Sequence, residues 1–172
     1  MLRRDDTTLV VVDVQEAFRK AVPDFERVAE RTRTLLAGAR VLGLPVIVTE
    51  QYPKGLGHTV EDVGLDGERV LEKSVFAASR AEGFELTTGQ ALVCGIEAHV
   101  CVHQTIEDLR GRGVEVHVAA DAVASRDDAN RAIALQRAER AGAVPTTTEM
   151  ALLELCGRAG TPEFKEVQAL IK

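Results

Sequence analysis

Three residues of complementary chemistry stand at ends of apolar runs. Asp13 interrupts Leu9-Val10-Val11-Val12, a run in which a carboxylate is costly to bury without a partner. Lys73 ends the short run Val70-Leu71-Glu72-Lys73. Cys101 follows Ala91–Ile96 and the segment Gly95-Ile96-Glu97-Ala98-His99, which predicts a thiol in the first turn of a helix. Unpaired backbone N–H groups and the helix dipole favour a thiolate there. A carboxylate, an ammonium and a thiol brought together supply a proton shuttle, a cation and a nucleophile. Each also has a bland reading: a backbone cap for Asp13, a solvated lysine for Lys73, a small buried hydrophobe for Cys101. Cys94, in mid-strand, and Cys156, on a terminal helix, fit the last of these readings well.

The elements that must position these residues alternate between strand and helix. Continuous β-branched runs at Leu9–Val14 and Pro45–Thr49 read as strands covered on both faces. Weaker or shorter strands are predicted at Val70–Lys73 and Val144–Thr146, and firmer ones at Ala91–Ile96 and Val114–Ala120. Helical spacing runs through Asp24–Leu42, closed by Gly43, then Ala98–Arg110, Asp127–Ala141, Thr148–Leu155 and Pro162–Ile171. Such alternation predicts an α/β fold: a three-layer Rossmann-like sandwich, its six-stranded, mostly parallel sheet ordered 3-2-1-4-5-6 with helices on both faces. Ligands of such sheets sit beyond the carboxyl ends of the strands, where strand order reverses. Function is therefore expected just after Val12, Val48, Leu71, Ile96 and Ala120. The segment from Glu50 to Gly67, rich in Gly and Pro, is longer than a connector needs.

Composition narrows the function classes. The chain has 172 residues, 45% apolar and 28% charged, which suits one globular domain over 1–172. Aromatics make up 3%, Trp is absent and the net charge is −6, so neither a base-stacking platform nor a phosphate-binding stripe is expected, and no nucleic-acid partner. The three cysteines lack CxxC spacing, which excludes a zinc cage of that type. No apolar stretch reads as a signal peptide or a membrane span, so the cytoplasm is the expected location and no membrane partner is expected. No GxGxxG follows the first strand, where Asp-Val-Gln-Glu-Ala stands, which disfavours a dinucleotide site.

The segments VVVDVQEAF (10–18), VTEQYPKGLG (48–57), LEKSVF (71–76) and VCGIEAHVCV (93–102) resemble the isochorismatase-like cysteine hydrolase superfamily. The resemblance is closest to the branch of isochorismatase domain-containing proteins, and it covers nearly the whole chain. It implies an Asp–Lys–Cys triad at Asp13, Lys73 and Cys101 that hydrolyses an amide-type C–N bond of a small molecule through a thioester. It further implies an oxyanion hole from the backbone N–H groups of Glu97 and Cys101, and a cis peptide between Ile96 and Glu97. Family members commonly form dimers or larger rings, so a homo-oligomer is expected.

The sequence departs from metal-dependent members of that superfamily. Glu50-Gln51-Tyr52-Pro53 stands where they carry Asp-x-His, and His58, His99, His103 and His117 are scattered, so no metal and no cofactor is expected. Substrate contacts are expected from Phe18, Gln51, Tyr52, His58, Phe76 and His99, with the two phenylalanines as apolar walls. The competing functions are an interaction protein that retains the triad without turnover, and a redox-sensing module whose Cys101 is oxidised.

Overall fold

The computed structural model describes residues 1–172. Strands β1 (Thr7–Val12), β2 (Val46–Gln51), β3 (Val70–Lys73), β4 (Gln90–Ile96), β5 (Glu115–Ala124) and β6 (Val144–Thr146) form one sheet in the order β3-β2-β1-β4-β5-β6. Every neighbouring pair is parallel, as the βα alternation predicts. Side chains of a strand alternate between faces, and β1 divides the core accordingly. Leu9 and Val11 pack with the helices α2 (Phe25–Leu42), α6 (Thr148–Cys156) and α7 (Pro162–Leu170). Val10 and Val12 pack on the other face with α4 (His103–Gly111) and α5 (Asp128–Arg140).

Local signals set the helix ends. Gly43, at φ 71°, closes α2 by donating its N–H to Ala39 and Arg40 carbonyls. Asp127 caps α5 through the Ala129 N–H, and Thr161 caps α7 through that of Phe164, with Pro162 in its first turn.

Three elements differ from their expected form. The helix predicted from Ala98 opens as a π turn, Ala98–Val102, before α4 begins at His103. β5 runs on to Ala124 through Asp121, which interrupts its apolar run and accepts from the N–H and hydroxyl of Thr148 at the start of α6. The 50–67 segment contains two short helices, α1 having preceded it at Phe18–Ala21: α3 (Pro53–Leu56) and the 3-10 turn Glu61–Val63. It docks on the chain after β1 through Glu16 N–H to His58, Ala17 N–H to Leu56 and Val60 N–H to Val14.

The register brings the carboxyl ends level: Val12 pairs with Thr49 and with Gly95, and Gln51 pairs with Lys73. Strand order reverses between β1 and β4, and there the backbones approach closely. A Cβ on Gly95, whose φ is +123°, would lie 1.9 Å from the Val12 carbonyl oxygen. Gly95→Ala is therefore expected to combine a forbidden φ with overpacking and to cost about 3 kcal/mol or more. Urea unfolding measures it; a loss below about 1 kcal/mol would mean the β1–β4 contact relaxes freely.

Candidate active site

Asp13 leaves β1 at φ 53°, a left-handed conformation that Asp tolerates better than most residues. The turn is fixed by Asp13 N–H to the Thr49 carbonyl at 3.1 Å and Gln15 N–H to the Asp13 carbonyl at 3.0 Å. It points the carboxylate across the strand ends. Thr49 Oγ1 donates to Oδ1 at 2.7 Å, and Lys73 Nζ donates to Oδ2 at 2.7 Å. Both charged side chains are fully buried. A pair removed from water in this way is tolerable only when its remaining polar atoms are satisfied. Lys73 meets that condition: Nζ also reaches Gln51 Oε1 at 2.6 Å and the carbonyls of Phe76 at 3.1 Å and Val75 at 3.3 Å.

Cys101 lies in the π turn, buried beside the Asp13–Lys73 pair and near enough for both charges to act on its thiol. The structure thus assembles Asp13, Lys73 and Cys101. Their electrostatics differ from the sequence reading, which expects a stabilised thiolate. Burial, followed by the negative charge of Asp13, pushes the thiol up to about 12, with Lys73 pulling it back. Burial also raises the Asp13 pKa, against the opposing pull of Lys73 and of the hydroxyl and thiol donors. Cys94 is likewise pushed up to about 12 by burial, with the hydroxyl of Thr32 pulling it back and the charge of Asp121 adding to the rise.

Above Cys101 opens a cleft of about 330 Å³, walled by Ala17, Phe18, Ala21, Leu56, Phe76 and Val100, with Gln51, Glu97 and Arg126 as its polar residues. The Ile96–Glu97 peptide at its floor is cis. Glu97 Oε1 accepts from Arg126 N–H at 3.0 Å and Arg126 Nε at 2.9 Å. Of the expected substrate contacts, Phe18, Gln51 and Phe76 border this cleft. Tyr52, His58 and His99 lie outside it. Tyr52 is in the left-handed region at φ 39°, and its ring stands over Gly55. His58 turns outward to Glu50, 2.9 Å from Nδ1, and that hydrogen bond raises its pKa. His99 Nδ1 meets Ser125 Oγ at 3.0 Å and faces a separate open groove with His103 and Arg137. No three His, Cys, Asp or Glu side chains are grouped as a metal ion requires.

Sequence reasoning missed Gln15, Thr49 and Arg126. The strand-end rule could have found Arg126 had β5 been read to its true end at Ala124. Thr49 closes a predicted strand, but its bond to Asp13 depends on the β1–β2 register.

The isochorismatase domain pattern matches residues 7–150. Isochorismatase domain-containing protein 1 of Salmo salar is 45% identical over 172 residues, covering 96% of this chain; the chain spans 61% of that relative's length. Isochorismatase domain-containing protein 2 of Homo sapiens is 42% identical over 170 residues, covering 96% of this chain and 83% of the relative. A solved structure described as MAR1 ribonuclease from Caenorhabditis elegans superposes with a TM-score of 0.93 at 41% identity, covering 99% of this chain and 91% of that one.

Removing Lys73 would leave a buried carboxylate without its counter-charge, a change that typically costs about 3–5 kcal/mol. Lys73→Ala is expected to lose about that much stability at pH 7. Without the ammonium the folded-state pKa of Asp13 rises further, so protonation restores part of the loss as pH falls through that value. Urea unfolding at pH 7 and pH 5 tests this, and an equal deficit at both would contradict it.

Proposed function

The chain belongs to the isochorismatase domain family, and from that membership we propose that it is a cysteine hydrolase cleaving an amide-type C–N bond of a small molecule. One observation carries the reading: a thiol that lines a cleft lies beside a buried carboxylate that is itself paired with a buried ammonium, and both charges act on it. That arrangement makes a nucleophile from a protonated sulfur only when proton loss and attack are coupled.

Sγ of Cys101 attacks the substrate carbonyl carbon while its proton passes to the Asp13 carboxylate, forming the C–S bond and a tetrahedral oxyanion. Backbone N–H groups of Glu97 and Cys101 stabilise that oxyanion. The C–N bond then breaks, the amine takes the proton from Asp13, and a thioester remains. Asp13 next removes a proton from water as the water attacks the thioester. The C–S bond breaks, the acid departs, and Asp13 returns the proton to sulfur. Throughout, Lys73 holds negative charge on Asp13 and on the sulfur.

The cleft volume limits the substrate to a small molecule. Its apolar walls suit a short hydrocarbon acyl group, and Arg126 offers one cation for a polar or carboxylate end of the substrate. RNA, suggested by the name of the Caenorhabditis elegans protein, is less suited. The charged residues bordering the cleft are Arg126 and its partner Glu97, Lys73 is committed to Asp13, and the chain carries a net charge of −6.

Iodoacetamide labelling of Cys101, located by mass spectrometry, tests the nucleophile across pH. The rate is expected to hold near neutrality and to fall as pH drops through the raised Asp13 pKa. Asp13→Asn is expected to slow labelling at pH 7 about 10²-fold, the lower end of general-base effects. A rate that rises only in alkali and ignores Asp13→Asn would leave the interaction-protein reading standing. Incubation with small amides, ureides and carbamoyl compounds, with and without a carboxylate, is expected to trap an acyl adduct on Cys101. Cys101-dependent cleavage of RNA with no acyl adduct from any amide would overturn the C–N reading.

A further inference from the structure

We propose that Gln51 is a positioning residue, a neutral tether that aims the Lys73 ammonium at Asp13 and Cys101 without cancelling its charge, and that the buried Gln15 holds Gln51 in turn. This rests on the catalytic reading of Asp13, Lys73 and Cys101 given above.

The shortest contacts of Lys73 Nζ are Asp13 Oδ2 at 2.7 Å and Gln51 Oε1 at 2.6 Å. An ammonium has a proton for each, and the backbone carbonyls of Phe76 and Val75 take the remaining direction at longer range. The amide of Gln51 has its orientation fixed at its other end, where Nε2 donates to the Ser74 carbonyl at 2.9 Å. Turning it over would set an NH₂ group against the ammonium. Both polar ends of the side chain are thus engaged inside the protein, although Gln51 borders the cleft. A role as a substrate contact would require one of these bonds to break.

Gln15 supplies the support. It is fully buried, two residues beyond Asp13, and its side chain brackets the Gln51 peptide. Oε1 accepts from Gln51 N–H at 2.7 Å, and Nε2 donates to the Gln51 carbonyl at 3.0 Å and to that of Gly57 at 2.6 Å. The end of β2 is thereby fixed to the turn that carries Asp13 and to the loop that roofs the cleft. Lys73 then has a fixed carboxylate on one side and a fixed amide oxygen on the other.

Neutrality is the feature that chemistry requires. The titratable groups at the ammonium are Asp13 from β1 and Cys101 from the π turn. Glu97 borders the cleft and is paired with Arg126. Glu50 is engaged with His58 and Thr59, and the exposed Glu72 adds to the charge felt by His58. A carboxylate at position 51 would compete with Asp13 for the ammonium and leave less positive charge for a developing thiolate.

The test is the pH profile of iodoacetamide labelling at Cys101 in Gln51→Glu and Gln51→Met, each checked for a cooperative thermal transition. Gln51→Glu is expected to move the acid limb of the profile upward by about one pH unit and so to slow labelling about tenfold at pH values below that limb, one pKa unit being one factor of ten. Gln51→Met, similar in length but unable to accept the bond, is expected to slow labelling several-fold, and it remains decisive if Gln51→Glu does not fold. Wild-type rates and profiles in the folded variants would overturn the proposal. If Asp13→Asn and Lys73→Ala also label like the wild type, the catalytic reading itself has failed; if they do not, only the role of Gln51 has.

Discussion

The structure depends on one buried ion pair. Asp13 and Lys73 come from opposite sides of β2, and their side chains are wholly withdrawn from water at the carboxyl edge of the sheet. An isolated charge in that place would be ruinous, and even a pair is stabilising only when its other hydrogen-bonding capacity is used. Thr49, Gln51 and the carbonyls after β3 use it. The cost of such a pair is reason to look for what it does, and the thiol of Cys101 against it supplies an answer.

Placing the thiol there requires β4 to run very close to β1. Gly95 permits this, because any side chain would meet the Val12 carbonyl. The chain then turns through the cis Ile96–Glu97 peptide and the π turn, so that Cys101 lies above the end of β1 and not farther along α4. Burial and the charge of Asp13 push its thiol pKa up, so under the proposed mechanism the neighbouring carboxylate must act as a base and not merely as a counter-ion. The loop that covers the cleft is held by backbone hydrogen bonds to the segment just after Asp13, so roof and base share one anchor.

Several residues show how far sequence reading reaches. Asp13, Lys73 and Cys101 were legible because each breaks the expected character of its element: a charge ending an apolar strand, a lysine at a strand end, a cysteine where a helix should begin. Arg126 was hidden by Asp121, which looks like the end of β5 but is an interruption within it that accepts from Thr148 at the start of α6. Tyr52, His58 and His99 were reasonable cleft residues by chain position. Their side chains are turned away by a left-handed backbone, by Glu50 and by Ser125, none of which leaves a periodic trace. Gln15 and Gln51 carry no reactive group, and only their hydrogen bonds mark them.

By itself, then, the sequence determined the layered α/β architecture, the strand order and the identity of the chemically capable residues, because apolar periodicity, caps and strand-end charges are local properties of the chain. The tertiary structure decided which side chains share a cleft, how burial and Asp13 act on the Cys101 thiol and what holds Lys73 in place. Those depend on register, on burial and on hydrogen bonds between strand ends far apart in the chain, and none of these exists until the strands are neighbours.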